Sequence, residues 1–235
     1  DYKNISDLTG IEHFKNLKML TCINNNITNL DLSKNTKLKE LVCYKNQIET
    51  INIANCTELE ALWCYNNKIS SIDISNASNL KNLWCSENEL TTLDASNNTA
   101  LESLRCDNNK ITRLEISDNA TLTTLNCENN QLTTFNISNN TALTKLSCHN
   151  NQLENLDVSN NTALTNLSCN NNLLTTLDIS TNVALEELYC GSNRLASLDV
   201  SNNTELGTLA CYENSLTSLD LSNNTALTNL SCYGN

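Results

Sequence analysis

Apolar residues in this chain repeat on two scales. Over a few residues they alternate with polar ones: in the stretch 143–153, LTKLSCHNNQL, Leu146 and Cys148 fall on one side of an extended chain, and Lys145, Ser147 and His149 on the other. That alternation predicts a short β-strand with one buried face. Over a longer range the whole phrase returns, as LTTLNCENNQL from 122 and LTNLSCNNNLL from 164. The spacing is 21 residues, and Cys22, Cys43, Cys64, Cys85, Cys106, Cys127, Cys148, Cys169, Cys190, Cys211 and Cys232 keep it without a slip. A leucine stands two residues before each of these cysteines and another stands five before; an asparagine stands three after, from Asn25 to Asn235. A second alternation, as in Leu156-Asp157-Val158, predicts another extended segment on the opposite wall of each unit. Coils of this kind bury their leucines only against one another, so they stack into a parallel sheet with neighbouring strands about 4.8 Å apart.

The unit reads L-x-x-L-x-C-x-x-N-x-L-T-x-L-D-V-S-N-N-T-A. It resembles the leucine-rich repeat, signature L-x-x-L-x-L-x-x-N-x-L, over nearly the whole chain. With cysteine at the sixth position it is similar to the cysteine-ladder, internalin J-like repeats of bacterial surface proteins. The resemblance implies a leucine-rich-repeat solenoid of the α/β class, rich in β. This would be a curved right-handed coil with a parallel sheet on its concave face and short extended or 3-10 segments on its convex side. Residues 1–16 are expected to form an N-terminal partial repeat or capping turn, slightly longer than the rest, with Ile5, Leu8, Ile11 and Phe14 as its apolar positions. Residues 17–235 then hold eleven repeats, the last truncated. The chain starts without a signal peptide and stops just after its last strand, so a fragment of a longer protein is expected.

The cysteine column admits several chemistries. Zinc needs four ligands in a tetrahedron, usually from close pairs, which thiols strung along a line do not provide. Disulfides between neighbouring rungs are opposed by parallel Cβ vectors, and an odd-membered ladder would not pair completely. Catalysis by a buried thiol is opposed by the rise in pKa that burial brings. The reading adopted is a structural ladder in which cysteine acts as a small buried hydrophobe. Cys56, outside the series, replaces an asparagine found at Asn35, Asn98 and Asn161; it is expected to be a tolerated, partly exposed substitution. The asparagine three residues after each ladder cysteine is expected to hydrogen-bond backbone groups left unpaired by the bend that follows the strand.

A formal charge of −12 argues against nucleic-acid binding, and no long apolar run spans a membrane. Proline is absent and glycine is scarce. Asp31, Asp73, Asp94, Glu115, Asp157, Asp178, Asp199 and Asp220 form one column. Stacked carboxylates can collect Ca²⁺, but capping of the following turn by side-chain acceptors is the preferred reading. No cofactor or metal is expected. The N-N-T tripeptides match glycosylation sequons and are read as turn residues.

Function is left to the exposed positions flanking each cysteine. Seven of the ten aromatic residues lie in these two columns. Tyr44, Trp63, Tyr65 and Trp84, with Val42 and Arg105, make one patch; Tyr189, Tyr212 and Tyr233 make a second. Trp, Tyr and Arg dominate interface hot spots, and the same rings can stack on sugars. The competing reading is stabilisation of the sheet by cross-strand contacts, but the middle repeats carry Ser and Asn at these positions. Asp107, Glu128 and His149 in one column resemble an acid/base cluster; an open line of residues lacks enclosure, and the expectation is charge pairing across strands with no catalytic residue. The expected function is a non-enzymatic module whose concave aromatic surface binds a protein or glycan ligand, for instance on a host cell surface. The resemblance implies a secreted or surface-anchored bacterial adhesin. The alternative is a passive spacer in a larger surface protein.

Overall fold

The computed structural model describes residues 4–235; Tyr2 lies outside them. The chain divides into two compact units, residues 1–119 and 120–235. In the first, the strands that carry the cysteine motif are β1 (Met19–Thr21), β3 (Glu40–Val42), β5 (Ala61–Trp63), β6 (Asn82–Trp84) and β8 (Ser103–Arg105). They pair in parallel, always one repeat apart, so that Leu20, Leu41, Leu62, Leu83 and Leu104 are rung partners. The second unit repeats the arrangement with β10 (Thr124–Asn126), β11 (Lys145–Ser147), β12 (Asn166–Ser168), β13 (Glu187–Tyr189), β14 (Thr208–Ala210) and β15 (Asn229–Ser231). This is a leucine-rich-repeat solenoid, as the period implied.

Each coil closes around a small apolar core. In the coil of Cys148, Leu143, Leu146, Cys148, Leu153 and Val158 are at most 2% exposed. The bend after each strand requires one residue in the left-handed region: Asn24, Lys45, Asn66, Glu87, Asn108, Asn129, Asn150, Asn171, Ser192 and Glu213 all have φ between 50° and 59°. Asparagine is the commonest occupant because its short side chain tolerates this conformation.

The asparagine that follows the bend fills the predicted ladder. Asn151 Nδ2 donates to the carbonyls of Cys148 (3.0 Å) and, one coil back, Cys127 (3.1 Å), while its Oδ1 accepts from Leu132 N–H (3.0 Å). Asn46 and Asn172 bond in the same way. The first coil is looser by one residue: Ile5 N–H donates to Asn25 over 20 positions, where Ile27 reaches Asn46 over 19.

The opposite wall adds detail to the expected extended segments. There, β2 (Asn29–Asp31) pairs with β4 (Thr50–Asn52) and β7 (Thr92–Asp94) with β9 (Arg113–Glu115), whereas the second unit has no such described strands. The same Leu-Asp pattern stands in both units, so alternation specifies an extended segment without specifying that neighbouring segments close a ladder. The one described 3-10 turn, Ile11–His13, precedes the first repeat and is not a feature of each coil.

Cys56 is fully buried, not partly exposed. It occupies a second internal ladder. Asn98 Nδ2 donates to Ile74 O (3.0 Å) and Ala77 O (2.8 Å), and Asn35, Asn161, Asn182, Asn203 and Asn224 each reach two carbonyls in the same way. Cys56 places its thiol at the equivalent point, with Sγ 3.4 Å from Leu32 O and 3.7 Å from Asn35 O.

Candidate functional site

The residues left over by this core are those on the outer face of the sheet. Because the strands are in register, the column before each cysteine brings Val42, Trp63, Trp84 and Arg105 onto consecutive rungs in the first unit. The Trp63 and Trp84 rings stack with centroids 5.2 Å apart and planes 23° from parallel, and the Arg105 guanidinium lies 4.7 Å from the Trp84 ring centre. In the column after the cysteine, Tyr44 and Tyr65 stack at 4.3 Å and 11°. Trp84 Nε1 donates to Ser103 Oγ at 3.4 Å. These four rings are half-buried and Arg105 is exposed. Val42, grouped with them by sequence, is only 5% exposed and presents little to a ligand.

The second unit brings its tyrosines together differently. Tyr212 and Tyr233 stack at 5.0 Å and 7°. The other side of Tyr212 lies against Gly191, where a Cβ would come within 2.7 Å of the ring. A side chain at this position would have to displace the ring. Tyr189 lies in the other column, between Ser168 and Ala210, and directs its hydroxyl to Glu187 Oε2 at 3.4 Å.

Glu187 belongs to a third outward column, which starts two residues before the first flanking one. Ala61, Asn82 and Ser103 occupy it in the first unit, and Lys145, Asn166 and Glu187 in the second. Considering only the neighbours of cysteine misses this column, although the period-2 rule carried one step further along the strand would have found it.

The polar residues in the column after the cysteine pair with their neighbours. In the first unit, Asp107 accepts from Ser86 Oγ at 2.6 Å and from Asn108 Nδ2 at 2.8 Å. In the second, Glu128 Oε2 lies 3.3 Å from His149 Nδ1 and accepts from Ser147 Oγ at 2.7 Å. Ser147 Oγ and Ser168 Oγ also approach Nδ1, at 3.0 and 3.2 Å, and Ser168 gives its own proton to Asn170 Oδ1 at 2.9 Å. Both hydroxyls spend their hydrogens elsewhere, so Nδ1 is surrounded by acceptors and carries the proton. That places Glu128 and His149 in a cross-strand pair, as expected, and leaves neither serine aimed as a nucleophile.

The buried cysteines are chemically quiet. All twelve are thiols and eleven are buried; Cys232 is exposed. Burial pushes the thiols of Cys64 and Cys148 up to about 12, and those of Cys22 and Cys211 up to about 11. A thiol that stays protonated is neither a nucleophile nor a ready metal ligand.

The acidic column behaves as a set of caps. Asp157 Oδ1 accepts from the Ser159 backbone N–H at 2.9 Å, and Asp31, Asp73, Asp94, Asp178, Asp199 and Asp220 make the equivalent bond. Glu115 instead pairs with Arg113 at 2.7 Å.

Comparison with known proteins agrees with this geometry. A family model for leucine-rich repeats, in two copies, matches residues 36–76. No curated protein matches the chain by sequence. Among solved structures, the functional domain of InlJ from Listeria monocytogenes, described as including a cysteine ladder, is 40% identical with a TM-score of 0.95. The match covers 98% of this chain and 52% of that one, so the chain spans about half the length of that relative. A leucine-rich-repeat protein of Leptospira interrogans (23% identity, TM-score 0.76, 97% and 70% covered) and the internalin InlF of Listeria monocytogenes (23%, 0.63, 97% and 84%) share the fold.

Proposed function

Because the chain belongs to the cysteine-ladder leucine-rich-repeat proteins of the internalin family, we propose that it is a non-enzymatic binding module that uses the outer face of its sheet. Solenoids of stacked repeats typically serve as interaction modules, since in-register strands offer a long continuous surface. The observation that carries the reading is the stack of Trp63, Trp84 and Arg105 beside that of Tyr44 and Tyr65, on a face where other rungs carry small polar residues. Each of these rings has at least one face covered by a neighbour, and Trp84 has both covered. Trp84 therefore meets a ligand through its edge, while the rings with one covered face keep the other, so a protein or a glycan ligand is accommodated. Family membership supports a secreted or surface-attached bacterial protein with an adhesive role.

Trp63 and Trp84 are the only tryptophans, so intrinsic fluorescence reports on this patch alone. Titration with host cell-surface extract, mucin-type glycan and cell-wall polysaccharide is expected to give a saturable shift with one of them. Trp63→Ala/Trp84→Ala should abolish that binding with the fold intact. If the double variant binds as tightly as the parent chain, or no probe binds, the passive spacer replaces this reading.

A further inference from the structure

Resting on the reading of the sheet as a binding surface, we propose that Tyr189 and Glu187 form a subsite for an arginine side chain of a basic protein partner. Tyr189 differs from the other outer-face rings. Its rung neighbours are Ser168 and Ala210, neither of which carries a ring, and it is 37% exposed. No described ring stacks on it, where Tyr212 is closed between Gly191 and Tyr233. An open phenol face attracts a cation through the ring quadrupole.

Charge in the second unit points the same way. Residues 120–235 contain ten carboxylate side chains against two cationic ones, Lys145 and Arg194. Glu187 stands at the ring's edge, accepting from its hydroxyl. Lys145 is two rungs away in the column of Glu187. A cation lying on Tyr189 thus finds a carboxylate within reach of its remaining donors. Guanidinium fits better than ammonium because it is planar, more weakly hydrated, and can stack while hydrogen-bonding in its own plane. The chain contains the same pairing internally, with Arg105 over Trp84 at 4.7 Å. An acidic polysaccharide would be repelled by this unit, and a neutral one would leave Glu187 with no cationic partner.

The test is calorimetric titration of the whole chain with the peptide acetyl-Gly-Arg-Gly-Arg-Gly-Arg-amide, its lysine counterpart and neutral chitotetraose. The arginine peptide is expected to bind more tightly than the lysine peptide. Tyr189→Ala should weaken arginine-peptide binding by roughly 3- to 30-fold. Tyr189→Phe should retain most of it, and Glu187→Gln should weaken it. The Trp63→Ala/Trp84→Ala chain should bind it as the parent does, so failure here and failure of the tryptophan patch are read separately. Equal affinity of Tyr189→Ala and parent would overturn the subsite, since attraction would then come from net charge alone. Preference for chitotetraose, or binding by no probe, would overturn it as well.

Discussion

At residue scale, the most informative position is Cys56. Its neighbours in sequence gave no reason to bury it, yet it stands where Asn35, Asn98 and Asn161 donate two hydrogen bonds each. A thiol is a weak donor and supplies those bonds poorly. Cys56→Asn is expected to raise stability by about 0.5–1.5 kcal/mol through two amide donors, read from the denaturant midpoint. The opposing effect is the amide oxygen: Oδ1 of Asn35, Asn98 and Asn161 has no hydrogen-bond partner in this ladder. A fall in midpoint would mean that desolvating this oxygen outweighs the two donors. Cys148 is the contrasting case, fully buried among leucines. Cys148→Ser should cost about 1–3 kcal/mol by placing a hydroxyl in a dry column, and an unchanged midpoint would contradict the packing role. Lys45 sits exposed at φ 55°, where most repeats carry Asn. Lys45→Asn should gain a few tenths of a kcal/mol up to about 1 kcal/mol, measured by the same unfolding curves.

At the scale of the element, strand position and register follow directly from L-x-x-L-x-C, because a one-residue slip would turn Leu146 and Cys148 to solvent. The turn after the second extended segment depends on its aspartate. The Ser159 hydroxyl and then its backbone N–H hold the Asp157 carboxyl below its ordinary range, and the same partners act at Asp73, Asp94 and Asp178. At Asp31, Asp199 and Asp220 the backbone N–H has the larger effect. A carboxyl whose pKa is lower folded than unfolded stabilises the fold fully above its unfolded value of about 3.9 and loses that contribution as pH falls through the folded value. Acid should therefore weaken the protein progressively below about pH 4–5. Asp157→Asn keeps the acceptor and removes the titrating group. Its unfolding midpoint should depend less steeply on pH in that window, and an unchanged slope would show that these caps do not drive acid sensitivity.

At the scale of the whole molecule, burial separates the twelve thiols into eleven and one. A thiol-specific reagent should modify a single cysteine, Cys232, in the native chain and all twelve in denaturant. A second fast thiol would restore the sequence-based view of Cys56. The period of 21, the leucine and cysteine columns, the first asparagine ladder and the aromatic columns were all legible in the chain, because a repeat that buries its leucines only against its neighbours must place equal residues in equal surroundings. Periodicity cannot report what happens between side chains on adjacent rungs. It did not show the fully buried second ladder or the closing of back strands in residues 1–119 alone. Nor did it tell the stacked rings of Trp63, Trp84 and Tyr212 from the unstacked ring of Tyr189. Those depend on the size and direction of neighbouring side chains 21 residues away, and only the stacked coils bring these within contact distance.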